Sequence, residues 1–307
     1  MPPQRAQESP FLRLPAEIRL QIYGLLLLPQ RAKDLLPSLG IEHSSTKDYF
    51  DYETKQDCSA NVSHPTLMIR TLDPDHYTQR YSPDKPAPIR SRYSVRCDRF
   101  RSACKSTTYL CLNASSRLQS SVAIMRSNKQ IHFECADLLY SSSTFDFDTH
   151  VEAIVPFFSD LTPFARSSIR GVRVVKRALA YDKEFDRCEW STALRYLTSP
   201  STGLALRKLE LGIVAGRPGD NGWDGVPTYS ADYFRDCTID GEEGMEWIRH
   251  LLQFKGLQEL VVKAVVEHCP PATNSSAMAK YVRFSASVEE GFKEFLSSRL
   301  LDGGVAE

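Results

Sequence analysis

The chain has 307 residues, of which 42% are apolar, and its 38 Lys and Arg residues balance 38 Asp and Glu residues. This length and apolar content suffice for a sizeable core in one large domain or two small ones. The zero net charge excludes a general electrostatic attraction to nucleic acid or anionic lipid, and no run approaches the ~20 apolar residues of a membrane helix, so we expect no membrane partner.

Residues 1–10 are polar and proline-rich, which predicts a disordered tail. The tail lacks the apolar stretch of a secretory signal. We therefore expect a cytoplasmic or nuclear protein whose eight cysteines are mostly reduced thiols.

Residues 11–29 predict an amphipathic helix. Apolar side chains recur at helical spacing and form one stripe, which contains Leu14, Ile18, Ile22, Leu25 and Leu26. Pro15 suits the first helical turn, where no backbone N–H is needed, and Pro29 ends the helix.

Residues 30–115 are rich in proline and polar residues and contain only short apolar pieces, at 66–72 and 107–112. This composition predicts an irregular, partly disordered insertion with two or three short strands.

Residues 116–307 predict a helix followed by a βα body. After a helix at 116–141, the predicted strands cover 144–147, 169–176, 206–214 and 257–266, and the predicted helices cover 151–161, 187–198, 242–254 and 287–301. We expect loops at 216–240 and 270–277. This alternation predicts an α/β fold with a mostly parallel sheet, although α+β remains possible. Irregular copies of a leucine pattern, as in Leu206–Leu211 and Leu257–Val262, make the body similar to leucine-rich repeats.

Two stretches resemble a known family. Leu14, Pro15, Glu17, Ile18, Ile22 and Leu26 match the start of the F-box pattern, and the "LPxEIRxQIY" form resembles F-box-like proteins of filamentous fungi. Residues 126–145, from Arg126-Ser-Asn-Lys-Gln-Ile-His-Phe-Glu134 to Thr144-Phe145, resemble a second segment of the same proteins. Together the stretches cover about 50 residues of the chain.

The resemblance implies a non-enzymatic protein-interaction protein. F-box domains dock onto the linker subunit of a cullin-type ubiquitin ligase, while the rest of the chain recruits a substrate. Carried onto this sequence, the docking residues are Leu14, Pro15, Glu17, Ile18, Ile22 and Leu25. A second interpretation leaves the protein in an unknown structural or interaction role, with the same stripe serving only as core packed on the helix at 116–141.

Other chemistry has little support in the sequence. Cys97, Cys104 and Cys111 recur every seven residues, but no Cys-x-x-Cys pair indicates zinc. We predict no catalytic residue, no metal and no cofactor. Asp220, Asp224 and Asp240 in the 216–240 segment would be the residues of an unrecognised metal-dependent site. Residues 90–105 combine cationic and aromatic residues, which keeps nucleic-acid contact as an alternative.

Overall fold

The structure is a computed structural model that describes residues 9–28, 66–72, 91–96, 104–111, 121–177, 184–216, 226–240, 245–267 and 276–301. The strands are β1 Thr66–Leu72, β2 Ser91–Arg96, β3 Cys104–Cys111, β4 Thr144–Asp146, β5 Gly171–Arg177, β6 Lys208–Gly216 and β7 Glu259–Glu267. The helices are α1 Ala16–Leu27, α2 Lys129–Ser142, α3 Ile154–Asp160, α4 Pro163–Ser168, α5 Glu184–Thr198, α6 Ala231–Asp240, α7 Glu246–Leu251, α8 Ser276–Ser287 and α9 Lys293–Leu300.

One sheet contains these strands in the order β2-β3-β1-β4-β5-β6-β7. From β1 to β7 the neighbours are parallel, and β4 to β7 follow one another in chain order. β2 and β3 extend the sheet beyond β1 as antiparallel strands. The expected α/β fold with a mostly parallel sheet is therefore confirmed, and each strand–helix unit packs beside the next, as in repeat proteins.

The main core lies between the sheet and the helices of the body. Val174, Leu211 and Val262 occupy the same row of the sheet, and all three are buried in this core. Trp190 and Leu194 of α5 pack into the same core, as their helical spacing predicts. Side chains from the other face of the sheet, Val175, Val214 and Val265, form a separate buried cluster.

The same face of the sheet as these valines also carries charged pairs, two of which join neighbouring strands. Asp146 Oδ2 lies 3.5 Å from Nη1 of Arg173 on the next strand. Lys208 Nζ lies 2.9 Å from Glu259 on β7 and 3.0 Å from Glu210 on its own strand. Opposite charges that face each other across strands stabilise a sheet modestly and fix its register.

The C-terminal part contains more helix than the sequence predicted. α6 occupies part of the expected 216–240 loop, while residues 217–225 lie outside the described residues. Within the predicted helix at 287–301, a π-helical segment at Val288–Phe292 precedes α9, and the separate helix α8 comes before it. The predicted helix at 287–301 is thus helical over most of its length, whereas the loop prediction was wrong for 231–240 and α8 was missed. The aromatic side chains that bury α6 and α8, Phe234 and Phe284, gain their partners only in the tertiary core.

In the insertion, β1 spans the predicted residues 66–72, and β3 overlaps the predicted strand at 107–112. The rest of the expected irregular segment lies outside the described residues, apart from β2. No helix in the described ranges is both long enough and apolar enough to cross a bilayer.

Candidate protein-docking site

Prolines set the start and end of α1. A 3₁₀ turn at Pro10–Arg13 leads to Leu14 and Pro15 in extended backbone, and α1 begins at Ala16. Glu17 lies in the first turn, where a carboxylate complements the positive end of the helix dipole. Leu28 returns to extended backbone before Pro29, as expected for a residue that precedes proline.

The buried face of α1 consists of Arg19, Tyr23 and Leu27, spaced four residues apart. This face packs on α2, where Tyr23 and Leu27 join Ile131 and Cys135 in a small cluster separate from the main core. The contact confirms that the segments beginning at Leu14 and ending near Tyr140 form one helical unit.

Most of the apolar stripe lies outside this contact, although Leu26 packs against it. Ile18 is 41% exposed and Leu25 is 55% exposed. At about 100° of rotation per residue, Ile18, Ile22 and Leu25 lie within about 60° of one another, and Tyr23 points about 140° away from Ile18. The stripe is therefore divided: Leu26 packs against the contact with α2, whereas Ile18 and Leu25 face solvent because α1 turns its Arg19–Tyr23–Leu27 face toward α2.

The other predicted docking residues also remain accessible. Pro15 and Glu17 are exposed, while Leu14 and Ile22 are half-buried. Four of the five exposed large apolar side chains in the described chain, Ile18, Leu20, Leu25 and Phe133, belong to α1 and α2. Exposed apolar surface is therefore concentrated on the helical unit, as it is at sites that bind another protein.

A polar cluster, here called the clasp and consisting of Arg19, Tyr23, Gln130 and Glu134, holds α1 on α2. The guanidinium donates from Nε to Glu134 Oε2 at 3.0 Å and from Nη2 to Oε1 at 2.6 Å. The Tyr23 hydroxyl donates to Oε2 at 3.0 Å, and the Gln130 amide donates to Oε1 at 2.9 Å. Forked pairing of this kind fixes the orientation of both side chains.

The same arginine also reaches the segment before α1. Its Nη1 donates to the backbone carbonyls of Leu12, at 3.2 Å, and of Leu14. The guanidinium therefore links the entry turn, α1 and α2. Arg19 is only 7% exposed, so these hydrogen bonds are largely shielded from water.

Within the clasp, Arg19 and Glu134 form an ionised pair. Hydrogen bonding from Arg19 is the main reason that the pKa of Glu134 falls to about 2. The pKa of Arg19 is raised, chiefly by its hydrogen bond to Glu134. Burial and then the hydrogen bond to Glu134 raise the pKa of Tyr23, so its hydroxyl remains a donor at neutral pH.

Local sequence fixes the start of α2 and thereby places Glu134. Asn128 caps the helix, with its Oδ1 accepting from the Gln130 N–H at 2.7 Å. Gln130 then lies one helical turn before Glu134, close enough to support the carboxylate.

His132 and Cys135, three residues apart on α2, make different contacts instead of sharing a metal-binding face. The His132 Nδ1 lies 3.2 Å from the Met125 carbonyl, whereas Cys135 is buried against α1. Burial raises the pKa of Cys135 to about 11, which keeps its sulfur as a thiol. Among the described residues, no three His, Cys, Asp or Glu side chains are grouped to hold a metal ion.

The remaining sequence candidates lie at the limits of the described chain. Cys97, Asp220 and Asp224 are outside it, and Asp240 is the last residue of α6. The basic 90–105 segment contributes β2 and the beginning of β3, with residues 97–103 outside the described residues, so nucleic-acid contact stays an untested prediction.

The apolar spacing of α1 did not identify Arg19 as the centre of the contact with α2. The available signal was the spacing of Arg19, Tyr23 and Leu27, which marks a second helix face beside the apolar stripe. A buried arginine on that face requires an acidic partner, and Glu134, in the segment at 126–145, provides it.

Comparison of the chain with protein-family models, with curated protein sequences and with solved structures finds no match in any of the three.

Proposed function

We propose that the protein is a non-enzymatic interaction protein that docks a partner through one side of α1 and the two residues before it. This surface, here called the stripe face, consists of Leu14, Pro15, Ile18, Ile22 and Leu25, with Glu17 at its margin. The observation that carries the proposal is the exposure of Ile18 and Leu25 on a helix whose opposite side packs on α2. An apolar helix face of this kind fits a groove between the helices of a partner.

The partner that we propose is the linker subunit of a cullin-type ubiquitin ligase. The support is the F-box-like pattern from Leu14 to Leu26, whose first and central apolar positions include Leu14, Ile18 and Ile22. The protein would then act as an adapter, with the βα body presenting the surface that recruits a substrate.

The size of α1 favours a partner with a groove over a second copy of this chain. A helix of 12 residues is about 18 Å long. One face of such a helix covers much less than the ~1,200–2,000 Å² that a stable interface buries, unless the partner also surrounds its flanks.

Co-purification tests the proposal. The full chain and a purified linker subunit from a filamentous fungus are mixed at about 10 µM each and separated by size-exclusion chromatography. We expect one earlier-eluting peak that contains both proteins. Two separate peaks for a folded chain would rule out the ligase partner, while nucleic acid bound to the chain instead would favour the 90–105 alternative.

A further inference from the structure

We infer that Arg19 and Glu134 are positioning residues for the stripe face, because their ion pair controls how often α1 detaches from the body. The docking consequence rests on the proposed function, whereas the opening of α1 can be measured without any partner.

The attachment of α1 is small and local. Among the described elements, the principal neighbour of α1 is α2, and its apolar contacts belong to the cluster around Tyr23, Leu27, Ile131 and Cys135. The main core of the body contains no residue of α1. Elements with few buried apolar contacts open at a lower free energy than the whole domain.

Detachment destroys the docking face as well as the contact. A helix of 12 residues with Gly24 in its interior is marginal in water without tertiary packing. Ile18, Ile22 and Leu25 stand on one side only while α1 is helical. Only the molecules in which α1 is folded on α2 present the docking face, so the apparent affinity falls in proportion to their fraction.

The attachment of α1 through the clasp depends mainly on the carboxylate of Glu134. Glu134 accepts four hydrogen bonds, from two guanidinium nitrogens of Arg19, from Tyr23 and from Gln130. Arg19 also holds the carbonyl of Leu14, a residue of the stripe face, through Nη1. Loss of the Glu134 charge thus loosens α1 and its entry segment together, although Glu134 lies on the other helix.

Amide hydrogen exchange on the free full-length protein tests the opening. In Glu134→Gln, we expect exchange at residues 20–27 to accelerate roughly ten- to hundredfold, the factor that corresponds to losing hydrogen bonds to a charged group. Exchange in β5 and β6 should stay unchanged. Asp137→Asn is the matched control, because it removes a carboxylate from the exposed side of the same helix, where Asp137 accepts from Ser168.

Docking is tested with Glu134→Ala, which removes every clasp acceptor. We expect a severalfold loss of affinity for the linker subunit, and we expect Gly24→Ala in the same protein to restore part of it by stabilising α1. If Glu134 instead touches the partner directly, Gly24→Ala gives no rescue, because a more stable α1 does not replace the lost contact. The alanine itself fits without a clash, since an added Cβ at Gly24 meets nothing within 4 Å.

The outcomes separate the two proposals. If the unmutated chain binds no linker subunit, the proposed partner fails, and the exchange result alone decides on the clasp. If the unmutated chain binds but Glu134→Gln leaves exchange at residues 20–27 as slow as in the unmutated protein, the positioning role is overturned while docking stands. A lack of rescue by Gly24→Ala also overturns it.

Discussion

Glu134 accepts both hydrogen bonds of a forked pair from Arg19, which lies 115 residues earlier in the chain. The pair joins the two stretches that carry the family resemblance, although the whole 30–115 segment separates them in sequence. It orients α1 so that Tyr23 is inside and Ile18 is outside.

The Glu134 carboxylate of the clasp makes the stability of the helical unit depend on pH. The pKa of Glu134 in the folded protein, about 2, lies below its ordinary value of 4.5. A depressed carboxyl pKa stabilises the fold above the unfolded pKa, and this contribution is lost as the pH falls from about 4.5 toward 2. Urea melts should therefore show a difference between the native protein and Glu134→Gln that is full at pH 6 and shrinks below pH 4.5. A difference that grows in acid would contradict the ionised pair.

Leu25 and Leu27 provide a matched contrast on one helix, because the first is 55% exposed and the second is 4% exposed. Leu25→Asp should change the melting temperature by no more than about 2 °C, as expected for a surface substitution. Leu27→Asp places an unpaired charge beside Ile131 and Cys135 and should detach α1, with loss of exchange protection there. Equal effects of the two changes would mean that the stripe face is buried after all.

Substitution of alanine for glycine should have opposite effects on stability at two positions. A Cβ at Gly291, in the π-helical segment, would lie 2.1 Å from the Tyr229 carbonyl oxygen. Gly291→Ala should therefore destabilise the body by about 3 kcal/mol, since the obstacle is backbone. Gly24→Ala should stabilise α1 by about 0.5–1 kcal/mol, because alanine loses less entropy in a helix. Chemical denaturation checks the first change and amide exchange the second.

The sequence predicted the features that local patterns encode. Alternation in 206–214 and 257–266 was enough to predict β6 and β7, and Pro15 and Pro29 were enough to bound α1. The face on which α1 packs was not predictable from apolar spacing alone, because the face that carries Arg19 packs on α2 and pairs with Glu134, while the more apolar stripe stays largely exposed. That partner is found only in three dimensions. Likewise α4 had a local signal, Thr162 followed by Pro163, which was missed because its six residues carry little helical periodicity.

The most direct measurement of the central claim is the affinity of purified linker subunit for the full chain and three variants. Ile18→Asp and Leu25→Asp alter the stripe face, while Leu20→Asp alters a side chain that is 43% exposed about 160° from Ile18 around α1. Isothermal titration should show a loss of about tenfold or more for the first two, as at interface hot spots, and native affinity for Leu20→Asp. Equal affinities for all four folded proteins would contradict docking through this face.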